Sequence, residues 1–304
     1  MITLTDTISL RAGDLEAEFA PDRGMVATSL RHAGDELLDI AAGRDGIVGI
    51  PLLHPWANRL SAHEYTVDGH TVRLPSGLLH CEEHGLPIHG VLAGSPLWEV
   101  VEAGPTGLRA RLDFRGELLE AFPFPHTLEL AVALSPRRLA VATTVRASAP
   151  VPIAFGFHPY LTLPGVPREE WVVGLPRRRH LELDARSIPT GRGEPRLARR
   201  FELGDQGFDD GYDGIAPGSR FTVAGGGREV AVVFDSGYPV AQLYSPAGAP
   251  FICFEPMTAP TDALRSGAML RRATAFTARF SIQISPSSRA RPTACSREDD
   301  PSFA

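Results

Sequence analysis

Short runs of alternating apolar and polar residues, broken every ten or so positions by Gly and Pro, dominate this chain. The alternation predicts strands over residues 9–19, 64–74, 97–103, 108–115, 126–134, 139–147, 220–223, 229–234, 241–244 and 276–285. Tyr65-Thr66-Val67-Asp68-Gly69-His70 reads as an Asp-Gly hairpin, helical periodicity is scarce, and strands do not alternate with helices. The pattern therefore predicts an all-β fold, a large antiparallel β-sandwich forming a single domain over residues 1–285. Residues 177–200, rich in Arg, Pro and Gly, read as a long surface connection without chemistry, and residues 286–304 as a disordered polar tail.

Two separated runs share one construction, a β-type apolar stretch ending in an ionisable residue and then proline. They are Val151-Pro152-Ile153-Ala154-Phe155-Gly156-Phe157-His158-Pro159 and Phe251-Ile252-Cys253-Phe254-Glu255-Pro256. Proline drives the residue before it into extended geometry, so His158 and Glu255 are each expected on a stiffened backbone at a strand end. Period-two alternation puts His158 on the face of Ala154 and Gly156, and Glu255 on the face of Phe251 and Cys253, with the larger side chains opposite. Both ionisable groups can thus look into one cleft as a general acid and a general base. Singly, each has a plain structural reading as a half-buried histidine or a strand-end carboxylate.

Composition narrows the chemistry. The chain has 304 residues, 43% of them hydrophobic, and a net charge of −6 without a long basic face, which argues against nucleic acid or an anionic membrane as partner. No stretch of about 18 apolar residues occurs, and the charged residues Asp6, Arg11, Asp14, Glu16 and Glu18 interrupt the N-terminal segment, so a cytoplasmic protein is expected. The three cysteines are too few and scattered for a disulfide framework. All 30 basic residues are arginine, so Schiff-base, pyridoxal-phosphate and P-loop lysine chemistries are excluded.

Five motifs in order then resemble the aldose 1-epimerases, the galactose mutarotase-like proteins. Pro51-Leu52-Leu53-His54-Pro55-Trp56-Ala57-Asn58-Arg59 is similar to the family's Pro-rich segment ending in Asn-Arg, and Ile88-His89-Gly90 to its His-Gly motif. Phe155-Gly156-Phe157-His158-Pro159-Tyr160 resembles its most characteristic signature. Phe208-Asp209-Asp210-Gly211-Tyr212 resembles its substrate-binding aspartate segment, and Phe254-Glu255-Pro256-Met257-Thr258 its general-base motif. The resemblance implies a galactose mutarotase-type sandwich, no cofactor, and interconversion of the α and β anomers of a free aldose.

It also implies roles: Glu255 as base on the anomeric hydroxyl, His158 as acid on the ring oxygen, His89 and Arg59 binding the sugar, and Asp209 holding ring hydroxyls. Asp210 is adjacent and leaves that last position open by one. Asn58 belongs to the same binding group, and Trp56 is a candidate platform for the sugar ring. Trp98, Tyr160 and Tyr212 are further aromatics with a core or cleft-wall reading. Residue types suggest a bell-shaped pH profile, its rising limb from ionisation of Glu255 and its falling limb from His158, although coupled groups can exchange these limbs.

Departures from the family pattern bear on substrate. Leu86-Pro87-Ile88-His89-Gly90-Val91 stands where galactose-specific members carry a fuller Asn-x-Leu-His-Gly-Gly motif, so a hexose 6-phosphate 1-epimerase and a non-catalytic carbohydrate-binding protein are the alternatives. His80-Cys81-Glu82-Glu83-His84 invites a metal reading, but Gly and Pro around it predict a loop without the helical His-Glu spacing of zinc enzymes, and no metal is expected.

Overall fold

The structure is a computed structural model that describes residues 7–40 and 48–287. The expected tail therefore lies, beyond residue 287, outside the described residues. Three antiparallel sheets make up most of the fold. The largest has nine strands, ordered Glu99–Gly104, Gly107–Phe114, His126–Ser135, Arg138–Ile153, Arg271–Pro286, Arg228–Ser236, Ser219–Gly225, Val172–Leu175 and Arg199–Glu202. An eight-stranded sheet runs Pro189–Arg196, Arg178–Leu183, Phe208–Asp213, Val240–Ser245, Ile252–Met257, Gly156–Phe157 and Leu52–Leu53, with Tyr160–Leu161 also paired to Ile252–Met257. A four-stranded meander of Ile8–Ala12, Leu15–Ala20, Val26–His32 and Asp35–Glu36 covers part of the core.

Alternation explains the large sheet. In His126–Ser135, Leu128, Leu130, Val132 and Leu134 are buried while Ala133 and Ser135 face solvent. The two large sheets meet through aromatic contacts, with Phe157 4.8 Å from Phe280 and Phe221 5.8 Å from Phe254 between ring centroids. Ile252–Met257 is buried at all six positions. Phe254 enters the inter-sheet core, and the alternate residues Cys253 and Glu255 form the other face. That second face is the floor of a cleft.

Residues 177–200 differ from expectation. They hold two paired strands, Arg178–Leu183 and Pro189–Arg196, and lead into Arg199–Glu202. Exposed arginine side chains and the glycines hide the strand signal, but backbone pairing does not depend on them. Glu64–Val67 and His70–Arg73 form the expected hairpin, with positive φ at both Asp68 and Gly69.

Candidate active site

Gly156 is the point where three segments cross. It pairs with Leu53 on one side and Met257 on the other, and a Cβ there would lie 2.7 Å from the Pro256 carbonyl and 2.9 Å from the Ala57 side chain. Gly156 opposite Met257 and Tyr160 opposite Cys253 bracket one register, in which His158 stands directly opposite Glu255. Their side chains meet, His158 Nε2 lying 3.3 Å from Glu255 Oε1, and both are buried at the bottom of a cleft of about 530 Å³. The convergence expected from the two proline-braced strand ends is present.

Neighbouring strands supply the rest of the floor. Residues opposite one another in an antiparallel ladder share a face. Glu255 pairs with Gln242, Cys253 with Tyr244, and Tyr244 with Asp209, so Gln242, Tyr244 and Asp209 are on the cleft side. Asp209 accepts hydrogen bonds from Gln242 Nε2 at 2.6 Å and Arg59 Nη2 at 3.1 Å. Asp210 projects to the other side, where His180 Nε2 lies at 3.2 Å and the Tyr212 hydroxyl donates to it at 3.1 Å. Of the two adjacent aspartates, Asp209 is the one in the cleft.

Backbone geometry aims the opposite wall. Asn58 and His89 both have positive φ, at 60° and 65°. Asn58 Oδ1 accepts from the Arg59 amide at 2.8 Å and from Arg59 Nη1 at 3.2 Å, so Asn58 holds the guanidinium that reaches Asp209. His89 donates its amide to the Asn58 carbonyl at 3.1 Å, and its ring sits edge-on to His158 with centroids 5.3 Å apart. Gly90 follows because a Cβ would come within 2.2 Å of the His54 carbonyl, which also accepts the Val91 amide at 2.9 Å. Tyr160 stacks on His158, centroids 4.3 Å apart and 13° between planes, and covers one face of the imidazole.

Electrostatics follow from burial. Desolvation drives the His158 imidazole down from 6.5 to about 3 and pushes the Glu255 carboxyl well above its ordinary value, with the Asp209 charge raising it further and Arg59 opposing. At the 3.3 Å contact burial thus favours the neutral form of both partners, the imidazole without and the carboxyl with its proton. The same proton moved across that contact would make an ion pair of equal net charge. Desolvation, with repulsion from any proton on the neighbouring His158, from Arg59 and from His80, also keeps His89 well below its ordinary value. Glu255 Oε2, His158 Nδ1 and His89 Nδ1 are buried without a hydrogen-bond partner among the described residues.

Arg59, His89, Asp209 and Asn58 thus line the cleft together with His158 and Glu255. Trp56 does not. It is 1% exposed inside the hydrophobic core, so the platform expected of it is corrected. Trp98 is also core, and the aromatic walls are Tyr160, Tyr244 and Phe208. Sequence reasoning missed Gln242 and Tyr244, whose only signal was their parity with Glu255 across a ladder. The loop bearing Glu82, Glu83 and His84 brings potential ligand atoms within 4.8 Å. However, Glu82 Oε1 already accepts the His84 and Leu86 amides at 2.9 and 3.1 Å, and Oε2 lies 3.5 Å from Arg59 Nε, so this carboxylate shapes the rim.

This geometry accords with comparison to known proteins. A family model for aldose 1-epimerases matches residues 6–280. The chain belongs to the aldose 1-epimerase family. No protein with curated annotation matches it by sequence. Among solved structures, a galactose mutarotase-like protein from Clostridium acetobutylicum is 17% identical, with a TM-score of 0.79 over 94% of this chain and 98% of that one. A protein from Synechocystis sp. PCC 6803 is 22% identical at TM-score 0.76, over 94% of this chain and 99% of that one. A galactose 1-epimerase from Lactobacillus acidophilus NCFM is 12% identical at TM-score 0.71, over 95% of this chain and 97% of that one. At these identities the likeness is one of fold, and the described strands are those of a galactose mutarotase-like sandwich. No helix among the described residues is long and apolar enough to cross a membrane.

Proposed function

We propose that this member of the aldose 1-epimerase family interconverts the α and β anomers of a free aldose by opening and reclosing its hemiacetal ring. One observation carries the reading: His158 and Glu255 touch at 3.3 Å on the cleft floor, each pushed by burial toward its neutral form. Ring opening needs one proton taken from the anomeric hydroxyl and one given to the ring oxygen, and reclosure on the other face reverses both transfers. A pair that shares one proton at constant net charge meets that demand without a redox change or Lewis acid. With the shared proton moved onto His158, the Glu255 carboxylate takes the hydroxyl proton while His158 gives its proton to the ring oxygen, which returns the pair to its neutral form, and Arg59, Asp209, His89 and Gln242 hold the remaining oxygens.

Charge in the cleft favours a neutral sugar over a phosphorylated one. Among the described residues Arg59 is the one arginine lining it, already bound to Asp209, and the carboxylates of Glu82 and Glu83 line it too. A non-catalytic binder would have no use for two adjoining buried proton-transfer groups. Polarimetry of freshly dissolved α-glucose, α-galactose and α-xylose provides the test. At least one rotation should relax faster with protein, and chelator should leave the acceleration unchanged. Unaltered relaxation of all aldoses tried, together with saturable binding, would favour the binder; acceleration confined to a hexose 6-phosphate would favour the phosphosugar reading.

A further inference from the structure

A second cavity, of about 610 Å³, lies behind the strand that carries Asp209. It opens where the chain crosses twice between the large sheets, once between Val172–Leu175 and Arg178–Leu183 and again between Pro189–Arg196 and Arg199–Glu202. Arg178 ties the two crossings together, donating from Nη1 to the Pro176 carbonyl at 3.0 Å and the Leu197 carbonyl at 3.2 Å. Its guanidinium lies 4.9 Å from the Tyr212 ring centroid.

Arg178 is 8% exposed, yet no carboxylate lies within ion-pair distance of it among the described residues, and its Nε has no hydrogen-bond partner. A buried charge without a counter-charge is costly, and the cost is relieved by whatever supplies the missing anion. Arg199 also lines the cavity, held over the Phe201 ring at 4.4 Å, and no carboxylate among the described residues pairs with it. Arg196, paired outward with Glu194, and His180 complete the basic side. The single lining carboxylate, Asp210, is engaged by His180 and Tyr212. Among the described residues the cleft in front has the opposite balance, one arginine beside the carboxylates of Glu82, Glu83 and Asp209.

We infer that this cavity is a binding site for a small hydroxyl-bearing oxyanion, a phosphate ester or carboxylate of polyol type. Guanidinium groups of Arg178 and Arg199 take the oxyanion, whose flat or tetrahedral oxygens suit their planar donors. The Asp210–His180 pair offers an acceptor and a donor for hydroxyls, and Phe201 and Phe208 supply the apolar surface. Phe208 walls both cavities, so an occupant behind the strand bears on the wall of the cleft in front.

The experiment is calorimetric titration of the full chain carrying Arg59→Ala and Asp209→Ala, which weakens binding in the cleft and changes no residue that lines the rear cavity. Glucose 6-phosphate, gluconate, inorganic phosphate and glucose are the probes. Binding of glucose 6-phosphate or gluconate, weaker binding of phosphate and none of glucose is expected, the first two identifying which oxyanion is preferred. Arg199→Ser, at an exposed position, or His180→Ala, at a partly exposed one, should weaken the anion about tenfold or more, and raised salt should weaken it further. Absence of anion binding at millimolar concentration, or binding unmoved by both rear-cavity variants, would overturn the inference. The proposal stands whether or not the cleft turns over an aldose.

Discussion

Two pairs of histidines meet in this fold, and only one has a carboxyl against it. His54 and His126 share a 2.8 Å Nε2 to Nε2 contact, with Phe114, Phe122 and Phe155 around them and the Phe124 carbonyl 2.6 Å from His126 Nδ1. His89 and His158 meet edge-on, and His158 adds the Glu255 carboxyl at 3.3 Å. Desolvation lowers all four imidazoles, His126 to about 4 and His158 to about 3. Burial alone therefore makes a neutral histidine. A partner of the opposite proton-holding type, whose own affinity burial raises, makes a proton relay. The core pair has a mechanical task instead, since the His54 carbonyl holds the Gly90 to Leu92 backbone that carries His89.

Breaking the cleft pair should have the largest effect. Glu255→Gln and His158→Asn are each expected to lower mutarotation by a factor of about 10² or more, with sugar binding retained, as seen by polarimetry and calorimetry. Near-normal turnover in either variant would remove that residue from the chemistry.

The pH profile sharpens the same contrast. The working pair holds one exchangeable proton, so acid inactivates by adding a second proton to His158, near pH 3, and alkali by removing the proton from Glu255, whose value lies well above 4.5. This exchanges the limbs expected from residue types alone. Turnover should hold level between these two limbs, with residual activity losing its acid limb in His158→Asn and shifting its alkaline limb in Glu255→Asp. A rising limb in the parent that follows Glu255 rather than His158 would contradict the neutral resting pair.

Breaking the core pair should cost stability rather than chemistry. His126→Leu leaves His54 Nε2 buried without its partner, worth about 1–3 kcal/mol and roughly 2–8 °C in Tm, with turnover at 25 °C within about threefold of the parent. The parent itself should lose stability as pH falls from 6.5 toward 4, because the unfolded chain takes up protons that His54 and His126 refuse when folded. Scanning calorimetry against pH measures both. A turnover loss without a Tm loss would show that the core pair acts in the chemistry.

The smallest effect expected is a gain. Native Glu255 keeps a proton that the unfolded chain has lost above pH 4.5, so its burial costs stability progressively as pH rises toward its folded value. Glu255→Gln should therefore melt a few degrees higher than the parent at pH 8, and that advantage should fade by pH 4.5. An inactive variant that is also less stable at pH 8 would argue that Glu255 is ionised in the fold.

Much of this site was legible because it is written in local constraints. His158 and Glu255 each precede a proline, and period-two parity put them on faces that do converge. Gln242, Tyr244 and the choice of Asp209 over Asp210 depend on which strands pair and in which register, which a linear sequence does not contain. Trp56 misled because an indole beside a polar pair suits a platform and a core equally, and only its burial separates them. The strands within residues 177–200 were hidden by side chains that face solvent and carry no alternation, as in Pro189–Arg196, where all eight positions are exposed or partly so.

The central claim is that His158 and Glu255 act as one unit, and the most direct measurement is anomer exchange by NMR in the two single variants and the double. Residues that share a proton lose their function together, so Glu255→Gln combined with His158→Asn should be within about threefold of the slower single variant. Losses that multiply in the double variant would contradict the shared proton and assign the two residues independent roles.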